Sequence, residues 1–234
     1  MSPAFDIKAP LTQFQMVQEF HDKFGLSTLR PTLPAVLPQD VLYFRLRFLQ
    51  EELQETNKAS LDGDLEMFVD GLVDLRYVLL GTLDMMGVPY DAIERGRFIA
   101  QATASALDHL RETAAATLPR APSIPCRTLV DACLNVVGGN SIGAFLAEQL
   151  RGNIAMSTSA LAMLNGIIEH LAALGCVPLA DCFWEVHQAN MRKERVLHAG
   201  ESKRGSAFDI KKPVGWQGPN LKPLLGIGST STLA

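Results

Sequence analysis

Aromatic residues are scarce in this chain of 234 residues, at 7%, and no stretch alternates apolar and polar positions for long. Strands therefore have little support. Cysteine is also rare. The four present, Cys126, Cys133, Cys176 and Cys182, form no CxxC pair and have no histidine at zinc spacing. A zinc site is excluded, and they read as small hydrophobes in a reducing compartment. Cationic excess is absent: 21 Lys and Arg against 25 Asp and Glu give a net charge of −4. That balance argues against nonspecific binding along a nucleic-acid backbone. An acidic enzyme that handles phosphates needs a metal ion to offset the repulsion. No apolar run reaches the roughly 20 residues that span a bilayer. The uncharged stretch 152–168 is interrupted by Asn153, Ser157, Ser159 and Asn165, and reads as a buried core helix. The first ten residues lack the layout of a signal peptide. The expectation is a cytoplasmic protein with no membrane and no nucleic-acid partner. No GxSxG, Walker A or GxGxxG motif occurs.

What the sequence has in quantity is helical spacing. Phe14, Val17, Phe20 and Phe24 mark a helix over 11–24, stopped by Gly25, and 26–38 is a proline-containing loop. Leu42, Leu46, Leu49 and Leu53 stripe a second helix over 39–58. Phe68, Leu72, Leu75 and Leu79 stripe a third over 65–86. Asp62 or Asp64 can cap the third. Further helices are expected at 91–118, 127–151, 156–174 and 178–199, with a proline-rich linker at 118–125. The fold class is all-α with a four-helix-bundle core. The chain divides into catalytic helices (11–94), a middle segment (95–180), a substrate-binding helix and C-terminal loop (181–224), and a flexible tail (225–234), all within a single domain of 1–234.

A weak internal repeat runs through the chain. FLQEEL at 48–53 resembles FLAEQL at 145–150, and the segment 83–91 resembles 171–181. Read as a duplication, the second copy has lost acids: Gln149 stands opposite Glu52 and Gly152 opposite Glu55. The middle segment is thus either an insertion or a degenerate second repeat.

The strongest chemical signal is acidic. Glu51, Glu52 and Glu55 lie within one helical turn and a half, with Glu52 and Glu55 on one face. Glu66, Asp70 and Asp74 follow at i, i+4 and i+8 on the next helix. Like charges at this spacing destabilise a helix by a few tenths of a kcal/mol per pair. A hard divalent cation removes that cost, and Mg2+ binds carboxylate and phosphate oxygens together. A solvated acidic face is the simpler reading of 51–55 alone. Asp70 and Asp74 are harder to dismiss, because they lie in a largely apolar helix, and Arg76 at i+2 faces away from Asp74. A second cluster comes late. Asn190 and Lys193 share a helix face, and Lys203, Arg204, Lys211 and Lys212 follow in loops, where they suit phosphate oxygens. His187 and His198 have no evident nucleophile and read as non-catalytic.

The segments 20–25, 48–55, 70–82 and 185–193, with 209–219, resemble the all-α nucleoside triphosphate pyrophosphohydrolases. That group includes MazG-like proteins of a phage and bacterial subgroup, all-α dUTPases and phosphoribosyl-ATP pyrophosphohydrolase. The family pattern is ExxE followed by ExxD. Glu52 and Glu55 match the first and Asp74 the end of the second. Gly71 stands where the second Glu is expected, and Asp70 substitutes for it. The resemblance implies Mg2+, with Mn2+ as the substitute, and a homodimer or a pseudo-dimeric monomer in the cytoplasm of a bacterium or phage-infected host. It implies cleavage of a nucleoside triphosphate, with a purine deoxynucleotide as the leading candidate, to the monophosphate and pyrophosphate. Glu52, Glu55, Asp70 and Asp74 would hold the metal, Glu51 would take the proton of the attacking water, and Lys193 would stabilise the leaving group. Lys211, Lys212 and Asn190 would bind phosphate or sugar, and His21, Phe24, Tyr77 and Trp216 would form the base pocket with Phe20. The rivals are a helical scaffold with a dead site, or an enzyme of the same fold acting on phosphoribosyl-ATP or another phosphate.

Overall fold

The computed structural model describes residues 11–89 and 121–228. The helix expected at 91–118 lies outside the described residues. Helix α1 spans Gln13–Lys23 and opens on a capping box, with Thr12 accepting from the Gln15 amide and the Gln15 side chain accepting from the Thr12 amide. A 3-10 turn, Leu26–Leu29, begins the loop to α2, Gln39–Asp62. Gly63, at φ 71°, ends α2 in a left-handed conformation that glycine adopts without strain. Asp64 then caps α3, Leu65–Met85, accepting from the Met67 amide at 3.0 Å. Helix α4 runs Arg127–Leu150 and contains a π-helical segment, Ala132–Gly138. Helices α5, Ile154–Leu174, and α6, Leu179–Met191, complete the set.

Helices α2 and α3 form one hairpin and α4 and α5 another. Across the bundle α2 also packs on α4, and α3 on α5, so the four helices close a ring around one apolar core. Phe68, Leu72, Leu75 and Leu79 of α3 are fully buried, as the stripe requires, and Leu134, Phe145, Leu161 and Leu164 meet them from the second hairpin. Helices α1 and α6 lie against the other side of α3. Buried Arg76 of α3 pairs at 2.9 Å with Glu169 of α5, so the residue that faces away from Asp74 bonds across the bundle.

Three expectations need correction. The helix expected over 178–199 stops at Met191. The chain instead forms β1, Glu194–Arg195, paired antiparallel with β2, Ile210–Lys211, because its apolar stripe ends and Leu197 stands 85% exposed. The tail expected from 225 is folded at its start: Leu221 and Leu225 are buried in a turn closed by the Leu225 amide on the Leu221 carbonyl. Finally, α4 is long and apolar enough to cross a membrane by length and composition, with a mean hydropathy of 1.4 over an 18-residue stretch. It is a member of the bundle, packed on α2 and α5.

Candidate active site

A cavity of about 420 Å3 opens between α2, α3, α6 and the loop after α6. Because α2 and α3 are antiparallel, the cavity's chemistry changes turn by turn along them. At one end are Glu51, Glu52, Glu55, Asp70 and Asp74. One turn further lie Phe48, Tyr77 and Val78, and a second turn brings Arg45 with His21 of α1.

The helices meet closely at the acidic end for a reason visible at Gly71. A Cβ there would lie 2.5 Å from Thr56 Oγ1 and 3.0 Å from Thr56 Cα. Because the second contact is backbone, a glutamate at 71 would force the hairpin apart. The acid at this turn therefore comes from Asp70. Glu52 is buried, and burial with the charges of Asp74 and Glu55 pushes its pKa up to about 9. Burial and Asp74 push Asp70 up to about 7, and burial raises Asp74 also. Asp70 Oδ1 is buried with no hydrogen-bond partner. Crowded carboxylates with raised pKa values and an orphaned oxygen lack positive charge, and a divalent cation with oxygen preference fits them. Among the described residues no three acids converge into a ready-made cage.

Positive charge comes from the late segment. Lys193 is largely buried, with its pKa lowered by burial and raised again by Asp74. Lys193 and Lys212 stack on Trp216, 5.3 and 4.5 Å from the ring centre. The indole N–H donates to the Ala189 carbonyl at 2.9 Å. Lys211 lines the cavity but is paired with Glu201 at 2.6 Å. Asn190 lines it beside Lys193.

Glu51 is bound twice, by Lys203 and by Arg204 Nε at 2.7 Å. Arg204 lies flat on Phe48, 3.8 Å from its centre, donates to Asp209 at 3.0 Å, and reaches within 3.7 Å of Glu52. Both Glu51 oxygens are engaged by cations, so the sequence-based role of Glu51 depends on displacing them.

Two aromatic expectations are corrected. Phe24 does not line the cavity; it packs edge-on against Phe20 at 4.6 Å, inside the core. Trp216 does not line it either and instead carries the two lysines from behind. Tyr77 is in the wall, pinned by stacking on Phe183 and by its hydroxyl 3.0 Å from His187 Nδ1. His187 bonds Glu19 with its other nitrogen. His21 lines the cavity, with Nδ1 2.7 Å from Asp84.

Sequence reasoning missed Arg45 and Asp84. Arg45 occupies the buried face of α2 between Val41 and Leu49, and that spacing was the available signal. It donates to Thr82 Oγ1 at 3.0 Å and to the Val78 carbonyl, and burial pulls its pKa down to about 9. Phe44 and Phe208, which join Phe48 in the wall, were likewise not foreseen.

A helical bundle in which clustered carboxylates face Lys193 and Lys212 is a donor set suited to a metal-bound phosphate. Residues 17–96 match the family described as phosphoribosyl-ATP pyrophosphohydrolase. Residues 17–96 thus carry a domain of the all-α NTP pyrophosphohydrolase (MazG-like) superfamily, a family that typically uses Mg2+. The match covers every acid of the cluster and ends before α4. No curated protein and no solved structure matches the chain.

Proposed function

We propose that the protein is a Mg2+-dependent pyrophosphohydrolase that cleaves a nucleoside triphosphate, with a deoxynucleotide as the leading substrate, to the monophosphate and pyrophosphate. The observation that carries this reading is the shared cavity. The acids of α2 and α3 and the lysines of the late segment, more than 100 residues apart in sequence, line one space.

Glu52, Glu55, Asp70 and Asp74 are the residues that would hold the metal, which when bound supplies charge neutralisation of phosphate oxygens and a more acidic water. Lys193 and Lys212, fixed on Trp216, stabilise charge gathering on the departing pyrophosphate. Lys211 joins them once released from Glu201. Asn190 hydrogen-bonds a sugar or phosphate oxygen. Substrate phosphates compete for Lys203 and Arg204, which frees Glu51 to accept the proton of the attacking water. Phe20, Phe48 and Tyr77 wall the nucleoside.

The middle segment supports a second element of this reading. The α4–α5 hairpin closes the bundle as a partner subunit would, and we read it as a degenerate repeat that leaves one active site per chain. The family match favours one alternative substrate, phosphoribosyl-ATP. Incubation of the protein and Mg2+ with the deoxynucleoside and ribonucleoside triphosphates and with phosphoribosyl-ATP, read by pyrophosphate release, tests the reading. Release from at least one nucleoside triphosphate is expected. Release from phosphoribosyl-ATP alone would transfer the assignment to that substrate, and none from any would leave a helical scaffold.

A further inference from the structure

The end of the cavity remote from the acids holds two polar atoms with no hydrogen-bond partner among the described residues. Asp84 is almost wholly buried and accepts from His21 Nδ1 at 2.7 Å and Gln18 at 3.0 Å, while Arg30 places Nε and Nη2 at 2.7 and 2.8 Å from its two oxygens. Arg30 balances the Asp84 charge. His21 therefore needs only one proton, on Nδ1, and burial with the nearby charge of Arg45 keeps the second off. Its Nε2 is then an acceptor, and among the described residues it has no hydrogen-bond partner. Arg45 spends Nε on Thr82 and Nη2 on Val78, and its Nη1 has no partner among the described residues.

Both groups abut Gly81. A Cβ there would lie 2.9 Å from Arg45 Nη2 and 3.0 Å from His21 Nε2. Glycine thus lets the guanidinium and the imidazole close on the same turn of α3, which sets a donor group and an acceptor side by side in the cavity wall. Arg45 is seven residues from Glu52 on the same helix, about 10 Å along its axis. That is roughly the reach of a nucleoside from its α-phosphate to the far edge of its base. Phe44, Phe48 and Phe208 line the approach.

We propose that His21 and Arg45 select the base, and that the substrate's base carries a ring N–H beside a carbonyl: guanine or hypoxanthine among purines, uracil or thymine among pyrimidines. Arginine is donor-only and is matched by a carbonyl oxygen, whereas amino-bearing edges are read by amide or carboxylate side chains. The carboxylates within reach of this corner are already committed. Asp84 is saturated, and Asp209 accepts from Arg204, Ser202 and the Ile210 amide. The ring N–H then donates to His21 Nε2, and the carbonyl accepts from Arg45. Adenine in the same pose sets its amino group against the guanidinium and its ring nitrogen against the imidazole lone pair.

This inference rests on the pyrophosphohydrolase reading, and the test separates the two. The most direct comparison is dITP against dATP, which differ only at this edge, with dGTP, dUTP, dTTP and dCTP as further arms and dIMP against dAMP binding measured by calorimetry. A preference of at least tenfold for dITP over dATP in kcat/KM, repeated in monophosphate binding, is expected. The dGTP and dUTP arms show whether a purine or a pyrimidine fits the pocket. His21→Gln, whose amide both donates and accepts, should narrow the dITP/dATP ratio several-fold. Arg45→Gln should do the same, with circular dichroism checking that it folds. Equal use of dITP and dATP, or a preference for dATP and dCTP, overturns the base assignment while leaving the hydrolase reading intact. A ratio unchanged in folded His21→Gln overturns the role of His21.

Discussion

The two helix hairpins of the bundle have similar frames and opposite chemistry. In α2–α3, Glu52 is buried among other acids with its pKa pushed up to about 9. In α4–α5, the residue opposite it in the FLQEEL/FLAEQL match is Gln149, equally buried and at ease. Its Oε1 accepts from the Leu37 amide at 2.8 Å, and its amide group faces Met86 Sδ at 3.7 Å. On the second match Thr158 and Ala162 stand opposite Asp70 and Asp74. Thr158 bonds its own helix at the Ile154 carbonyl, and Ala162 is core. One hairpin gathers carboxylates that face Lys193, Lys203 and Arg204, and the other uses the matched positions for packing and a pin for the loop before α2. Clustered carboxylates with raised pKa values in a cavity mark a candidate functional site. On the proposed function, the first hairpin carries the site and the second supports it.

The largest effect should come from the acids. Glu52→Gln, Glu55→Gln and Asp74→Asn should each lower kcat/KM by about 100-fold, as loss of several kcal/mol of charge stabilisation implies. Their melting temperatures at pH 8 should be equal to or above wild type. Near-normal turnover at saturating Mg2+ in all three would end the distinction between the hairpins.

Next in size are two substitutions that swap character between the hairpins. Gly71→Glu restores the family's acid but drives a side chain into the Thr56 backbone, and should cost about 1–3 kcal/mol in a denaturant titration. Gln149→Glu places a carboxylate where only an amide and a thioether wait, and should cost a similar 1–3 kcal/mol without creating a second site. Two bound nucleotides per chain in that variant would contradict the support role.

A pH series sharpens the same contrast. Asp70 and Glu52 have folded pKa values of about 7 and 9, above their ordinary 3.8 and 4.5. The folded state then binds more protons than the unfolded one, so their stabilising contribution is full below about pH 4 and is lost as pH rises through 7 towards 9. The metal-free protein should melt lower at pH 9 than at pH 6, and Mg2+ should raise the melting temperature more at pH 9. Equal Mg2+ shifts at both would speak against carboxylate ligation. Asp84 acts in the opposite direction, its pKa lowered by bonds from His21 and Arg30 against the upward push of burial. Its contribution is lost only below pH 4.

The smallest effect should come from behind the site. Trp216→Phe keeps an aromatic face for Lys193 and Lys212 and should change KM little, whereas Trp216→Leu should raise it several-fold, since each cation–π contact contributes about 0.5–2 kcal/mol.

Much of this was legible in the sequence, and the limits have physical causes. The apolar stripes located α1, α2 and α3, because each helix buries one face and period 3.6 records it, and the uncharged stretch 152–168 located α5. The acids were legible because like charges at i, i+4 in an apolar helix demand an explanation. The end of α6 was not, since Lys193 and Glu194 leave the helix for a tertiary reason, the pairing of β1 with β2. Phe24 and Trp216 were assigned to the pocket by residue type, and type does not say which side of a wall a ring lies on. Gly71 looked like a defect in the motif. The cause is helix proximity to Thr56, which only coordinates reveal. Arg45 was overlooked because a lone charge on an apolar stripe is easily read as interrupting it.

The most direct test of the central claim is phosphorus NMR of the products formed from a nucleoside triphosphate and Mg2+, run side by side on wild type and Asp74→Asn. The account predicts nucleoside monophosphate and pyrophosphate from wild type and almost none from the variant. Nucleoside diphosphate with orthophosphate, or equal product from both proteins, would contradict it.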